Sequence, residues 1–180
     1  ALTGADSGNY SLTAPSLTGN ITTRAITVTA ATDSKTYDGN TTSSGTPAIT
    51  SGTLAAGDSV TWAQTFNSKT VGTGKTLTPA GTVNDGNGGN NYVVTFVTDT
   101  TGAINAKNLT VSGVTGDNKV YDGTTTATLS GAPSLVGVIA GDVVSLDTSG
   151  VTATFDNKNV GTAKPITITG AALAGADAAN

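Results

Sequence analysis

The sequence predicts an all-β protein of tandem modules, each an immunoglobulin-like β-sandwich. Three observations predict it. β-Branched residues and glycine dominate, and no window sets apolar residues at the i, i+3, i+4, i+7 spacing of an amphipathic helix. Short alternating runs are broken by turn residues at intervals of roughly 8–12, the cadence of a sandwich. An eight-residue signature also occurs twice, as Lys35-Thr36-Tyr37-Asp38-Gly39-Asn40-Thr41-Thr42 and as Lys119-Val120-Tyr121-Asp122-Gly123-Thr124-Thr125-Thr126. Its recurrence divides the chain into modules of about 80 to 90 residues, a size at which one β-domain can close a core.

Residues 1–23 read as the last strand of a preceding module. Gly4-Ala5-Asp6-Ser7-Gly8-Asn9-Tyr10 leads into a strand-like run at Tyr10–Thr13, as Gly88-Gly89-Asn90-Asn91-Tyr92 leads into the run ending at Val97. The first complete module spans 24–106. It opens on Ile26–Ala30, a strict alternation that reads as a half-buried strand. Tyr37-Asp38-Gly39 then turns the chain, because Asp accepts local backbone N–H groups and Gly tolerates positive φ. Gly57-Asp58 precedes a strand from Ser59 to Phe66, and Lys75–Pro79 alternates again. The last strand is expected from Asn91 to Val97. The junction beyond it, Gly102–Val111, aligns without gaps on Gly19–Val28 and lacks a flexible Gly/Ser tract.

The second module, 107–180, repeats the plan and stops before a Tyr-headed final strand. Gly141-Asp142 matches Gly57-Asp58, and Phe155–Lys164 matches Phe66–Lys75 at a longer spacing. An insertion therefore lies between them, expected in a hairpin loop. Pro165–Thr169 is the clearest alternating strand. Leu54-Ala55-Ala56 and Val136–Ala140 are the two places where a single helical turn is expected. They make a β-grasp-like module with one short helix the alternative architecture. Residues 10–21 supply a strand of the type that the second module wants, so strand exchange between copies is one expectation.

Composition excludes several function classes. There is no Cys, His or Glu, which removes disulfides, thiolate metal sites and thiol nucleophiles. General acid–base chemistry is left to Asp, Lys and Tyr, so no enzyme activity is expected. A net charge of −4 argues against nucleic acid. No run approaches the ~20 apolar residues of a membrane span. Ala1 falls in mid-repeat, and the chain reads as a piece of something longer.

Among candidate residues, Tyr37, Asp38, Gly39, Tyr121, Asp122 and Gly123 are read as fold determinants, each Tyr packing its ring beneath a turn with its hydroxyl on a backbone group. Trp62 is read as core. The loop Asn84–Asn91 is rich in oxygen ligands, which makes Asp85 and Asn87 the candidates for calcium. One carboxylate without any Glu fits a plain turn cluster better, and no cofactor is expected. Lys35/Lys119, Lys69/Lys158 and Lys75/Lys164 recur at matched sites with Asp38/Asp122 and Asp58/Asp142, a pattern open to either solvated pairs or Lys–Asp cross-links.

The Lys-x-Tyr-Asp-Gly-x-Thr-Thr core, the later Gly-Asp, the run Asn159–Lys164 and Gly175-Ala176-Asp177 with Asn180 together resemble the YDG repeat of large bacterial surface adhesins and biofilm-matrix proteins. The first module departs from it at Thr70 and across Asn84–Gly89. The resemblance implies an extracellular stalk or fibre whose partners are neighbouring repeats, other copies of the chain, or surface glycans. It brings no catalytic residue.

Overall fold

The computed structural model describes residues 1–180. The first repeat forms β1 (Arg24–Thr29), β2 (Ser34–Thr36), β3 (Ala48–Ser51), β4 (Ser59–Phe66), β5 (Gly72–Asn84), β6 (Tyr92–Val97) and β7 (Asp99–Asn105). Alternation decides which face of β1 is buried, with Ile26 and Val28 inward. This strand lies between β3, antiparallel, and β6, parallel. The second sheet runs β2-β7-β5-β4, with β7 parallel to β2 and antiparallel to β5.

Two apolar clusters fill the repeat. Ile26, Val28, Val83 and Tyr92 form one, with Leu54, Val60 and Trp62 packed against it. Trp62, expected in the core, is half-buried at the edge of this cluster, and its ring meets Phe96 edge-on at 5.7 Å. Ala30, Tyr37, Phe66, Leu77 and Ile104 form the other. A polar brace through the buried Gln64 ties the segment between β1 and β2 to β4. Gln64 Oε1 accepts the Ala31 N–H at 2.8 Å, while Nε2 donates to the Ala31 carbonyl at 2.7 Å and to Ser43 Oγ at 2.9 Å.

The hairpin β4–β5 is long because Gly81 lets it bend. Its φ is +144°, and a Cβ there would sit 2.0 Å from the Thr61 carbonyl oxygen. Gly170 occupies the matched place in the second repeat, with a Cβ position 2.0 Å from the Gly150 carbonyl.

The second repeat forms β8 (Thr110–Gly116), β9 (Leu129–Val136), β10 (Ser145–Asp147), β11 (Thr152–Phe155), β12 (Ile166–Thr169) and β13 (Ala172–Ala174). They pair as β8 with β9, β10 with β13 and β11 with β12, all antiparallel. Residues 107–180 hold no counterpart of β6 and β7. Its core is correspondingly thin, with only Ala127 and Ala153 among the buried apolar residues.

Four expectations need correction. Neither predicted helical turn forms. Val136 ends β9, and the Gly-Asp sites are single turns closed by Asp58 N–H to the Ala55 carbonyl and Asp142 N–H to the Ile139 carbonyl. The only helix is a three-residue 3₁₀ turn at Ser7–Asn9. Second, Tyr10–Thr13 forms no strand, because an extended segment needs a neighbour to complete its ladder. Third, the strand ending at Val97 is not the last of the first repeat, since β7 follows at once and takes in Gly102–Asn105, expected as junction. Fourth, the insertion falls at residues 148–151, inside what is one strand in the first repeat, and splits it into β10 and β11.

Candidate functional site

The repeated octet builds a cage around its lysine. Lys35 Nζ donates to Asp38 Oδ1 at 2.8 Å, to the Asn40 carbonyl at 2.9 Å and to Asn40 Oδ1 at 3.0 Å. Lys119 Nζ repeats this with Asp122 Oδ1 at 2.8 Å, Thr124 Oγ1 at 3.0 Å and the Thr126 carbonyl at 2.9 Å. Each ammonium also lies over a ring, Phe66 at 5.5 Å and Phe155 at 5.9 Å. The lysine beside it holds the Asp38 carboxyl below its usual range, and Lys119 with the Thr124 donors brings Asp122 down to about 2. The last motif threonine joins β4 or its counterpart through the bridges Thr42 to Thr65 and Thr126 to Thr154.

The tyrosines part company. Tyr37 is 3% exposed and Tyr121 58%. Tyr37 does not reach a backbone group, as the sequence reading has it. Its hydroxyl donates to Asp142 Oδ1 at 3.0 Å, on the Gly-Asp turn of the next repeat. Burial first, and then that carboxylate, push the phenol up, against the lowering effect of Lys69. Lys69 Nζ stands 3.5 Å from the same oxygen. Asn180 Oδ1 accepts the Val71 N–H at 3.2 Å. Gly39, at φ +82°, leaves room for Ile139, whose Cγ2 lies 2.8 Å from where a Cβ would be. Tyr37, Gly39, Lys69 and Val71 thus grip Ile139, Asp142 and Asn180 in a joint between repeats.

The other Gly-Asp carboxylate shows a second contact. Tyr92 accepts the Ala55 N–H at 2.8 Å and donates to Asp58 Oδ2 at 2.5 Å. The Ala55 N–H favours the phenolate, yet Asp58 and burial outweigh it and the Tyr92 phenol is raised. Of the two Gly-Asp carboxylates, Asp58 thus receives a tyrosine hydroxyl from its own repeat and Asp142 one from the preceding repeat.

The calcium candidates sit apart from this joint. Asp85 accepts the N–H groups of Asn87 and Gly89, each at 2.8 Å, and of Asn91 at 3.0 Å. These amides, Gly89 first, outweigh burial and hold its carboxyl low. The Asn87 side chain donates to Asn91 Oδ1 at 3.0 Å. The loop is braced from within, and nowhere do three or more His, Cys, Asp or Glu side chains gather. Of the matched lysines, Lys164 contacts Asp156 and Asn157 Oδ1 at 2.8 Å each, while Lys75 contacts only the Ser68 and Thr70 hydroxyls.

The joint itself was missed from sequence. Its signal was the recurrence of Gly-Asp, but a local reading assigned every motif residue to its own turn.

No curated protein and no solved structure matches the chain. The YDG domain matches it twice, over residues 22–102 and 105–180, and these spans coincide with the two caged octets and their Gly-Asp turns. The chain belongs to the YDG domain family.

Proposed function

We propose that this chain is a spacer, a structural repeat segment in the stalk or fibre of a secreted bacterial adhesin or biofilm-matrix protein. The observation that carries the reading is the joint. The residues that define the motif are spent on caging a turn and gripping the next repeat, which is what extension needs and catalysis does not. Apart from Lys69, the joint uses uncharged contacts around one buried carboxylate, and a Thr-rich exterior keeps it hydrated. We also infer that each complete module is an immunoglobulin-like sandwich. Two sheets of three and four strands in about 80 residues, with β1 pairing parallel to a late strand, support that assignment.

Small-angle scattering combined with a glycan array tests the spacer reading. An elongated particle and a silent array are expected. A specific glycan signal overturns it in favour of a binding module, and a collapsed globule overturns the stalk.

A further inference from the structure

Asp38-Gly39, Asp85-Gly86, Asn87-Gly88 and Asp122-Gly123 each set an acid or amide side chain before a glycine. In such a pair the glycine nitrogen can attack the preceding side-chain carbonyl, since no Cβ stands beside it. The three aspartates are held ionised, each carboxyl lying below its ordinary range. A carboxylate resists that attack, because its own negative charge repels the nucleophile. Asn87 carries a neutral carboxamide instead, and no other Asn-Gly pair occurs in the sequence.

The turn between β5 and β6 leaves the attacking atom free. Asp85 accepts the N–H groups of Asn87, Gly89 and Asn91, and passes over that of Gly88, which donates to no protein atom. Asn87, Gly88 and Asn90 are all exposed, so water and hydroxide reach them.

The same turn favours the charge that the reaction must develop. To attack, the Gly88 nitrogen loses its proton, and the resulting charge is shared across the peptide unit with the Asn87 carbonyl oxygen. That oxygen accepts Asn90 Nδ2 at 2.7 Å and the Asn90 N–H at 3.3 Å. Hydrogen bonds to a charged form favour it. The leaving nitrogen, Asn87 Nδ2, donates to Asn91 Oδ1 at 3.0 Å, which keeps the carboxamide against the turn.

We propose that Asn87 is a self-modifying site, at which the folded turn converts the amide to an acid. Hydroxide removes the Gly88 amide proton and a bond forms from Gly88 N to Asn87 Cγ. The Cγ–Nδ2 bond breaks, and Nδ2 takes a proton from water and leaves as ammonia. Water then opens the cyclic imide at either carbonyl, which gives aspartate or isoaspartate. The new carboxylate lies beside Asp85 and no longer donates to Asn91. That residue starts the pairing of β1 with β6, its carbonyl accepting the Arg24 N–H at 2.8 Å, while the Tyr92 N–H donates to the Gly89 carbonyl at 3.1 Å. Modification therefore loosens the head of β6, where Tyr92 holds Asp58. The proposal goes beyond the spacer reading, since it gives the first repeat a slow and irreversible chemical change set by its own fold.

The full chain is incubated at neutral and mildly alkaline pH, both folded and in urea, and followed by peptide mapping that separates asparagine, aspartate and isoaspartate. In the folded chain Asn87 should convert at least tenfold faster than any other asparagine, at a rate proportional to hydroxide. Asn90→Ala removes one donor to the Asn87 carbonyl. It should slow the folded chain at least threefold and leave the unfolded chain unchanged. Hydrogen exchange in the aged chain should be faster at Arg24 and Tyr92 and unchanged at Ala127, whose N–H bonds within the second repeat. An Asn87 that converts in urea but not in the folded chain overturns the proposal. An Asn90→Ala chain that reacts as fast as the unmodified one overturns the part given to the turn and leaves a property of the dipeptide alone. Exchange at Arg24 and Tyr92 that does not change with age overturns the loosening of β6.

Discussion

Lys119 and Asp122 make the most direct electrostatic statement in the chain, because the pair is repeated at Lys35 and Asp38 with the same 2.8 Å contact. A carboxyl lowered on folding contributes stability above its unfolded pKa of about 3.9, and that contribution is lost as pH falls through the folded value. For Asp122 the window runs from there down to about 2. Lys119→Met should move the Asp122 midpoint upward, toward about 3.9, in a carboxyl NMR titration. A midpoint that stays put would mean that the Thr124 donors alone hold it. Gln64 makes a different statement. It satisfies both backbone groups of the half-buried Ala31, so Gln64→Leu leaves that donor and acceptor without their partners. The expected loss is about 1–3 kcal/mol for each group. Urea unfolding should show a lower midpoint at unchanged slope, and an unchanged midpoint would show that Ala31 finds water.

At the scale of the strand, glycine is what allows β5 to cross both core clusters. The strand runs from Gly72 to Asn84, touching one cluster through Leu77 and the other through Val83. At Gly81 a side chain would meet the Thr61 carbonyl at 2.0 Å in a backbone region that L-residues avoid. Gly86 also has positive φ, at +73°, but open space around it. Gly81→Ala should therefore destabilise more than Gly86→Ala, by strain on the order of 1–3 kcal/mol against about 1. Thermal unfolding of the two variants ranks them, and equal losses would reduce Gly81 to a φ effect alone. Much of this layer was legible in sequence. β1, β4 and β12 announce themselves by alternation, and the octet by its repetition. β7 was not legible, because Asp99-Thr100-Thr101-Gly102 reads as polar turn material. It is a strand because β2 and β5 lie on either side of it, a tertiary circumstance that propensity does not encode. Tyr10–Thr13 fails in the opposite sense, with strand propensity and nothing beside it.

Across the whole molecule, the candidate site lay hidden because its residues are 105 apart in sequence and belong to two copies of one pattern. Repetition showed that Tyr37 and Asp142 matter without showing that they meet. The joint they form is compact, and the Lys69–Asp142 ion pair at 3.5 Å, with the lysine 44% exposed, adds little of its own. Its hold comes from the buried tyrosine hydroxyl, the buried carboxylate and the seat that Gly39 leaves for Ile139. Because the Tyr37 phenol is raised in the folded chain, its contribution is present below the ordinary phenol pKa of about 10 and is lost as pH rises through the folded value. At neutral pH the same loss can be made by substitution. Tyr37→Phe keeps the ring in its cluster and removes only the hydroxyl, leaving Asp142 buried without that donor. Nitrogen-15 relaxation should give one rotational correlation time for both repeats of the unmodified chain. Tyr37→Phe combined with Asp142→Asn should give two shorter ones while the first repeat keeps its unfolding midpoint. A single unchanged correlation time in the double variant would show that the connection at residues 106–109 sets the stiffness, and that the tyrosine of the motif has no part in it.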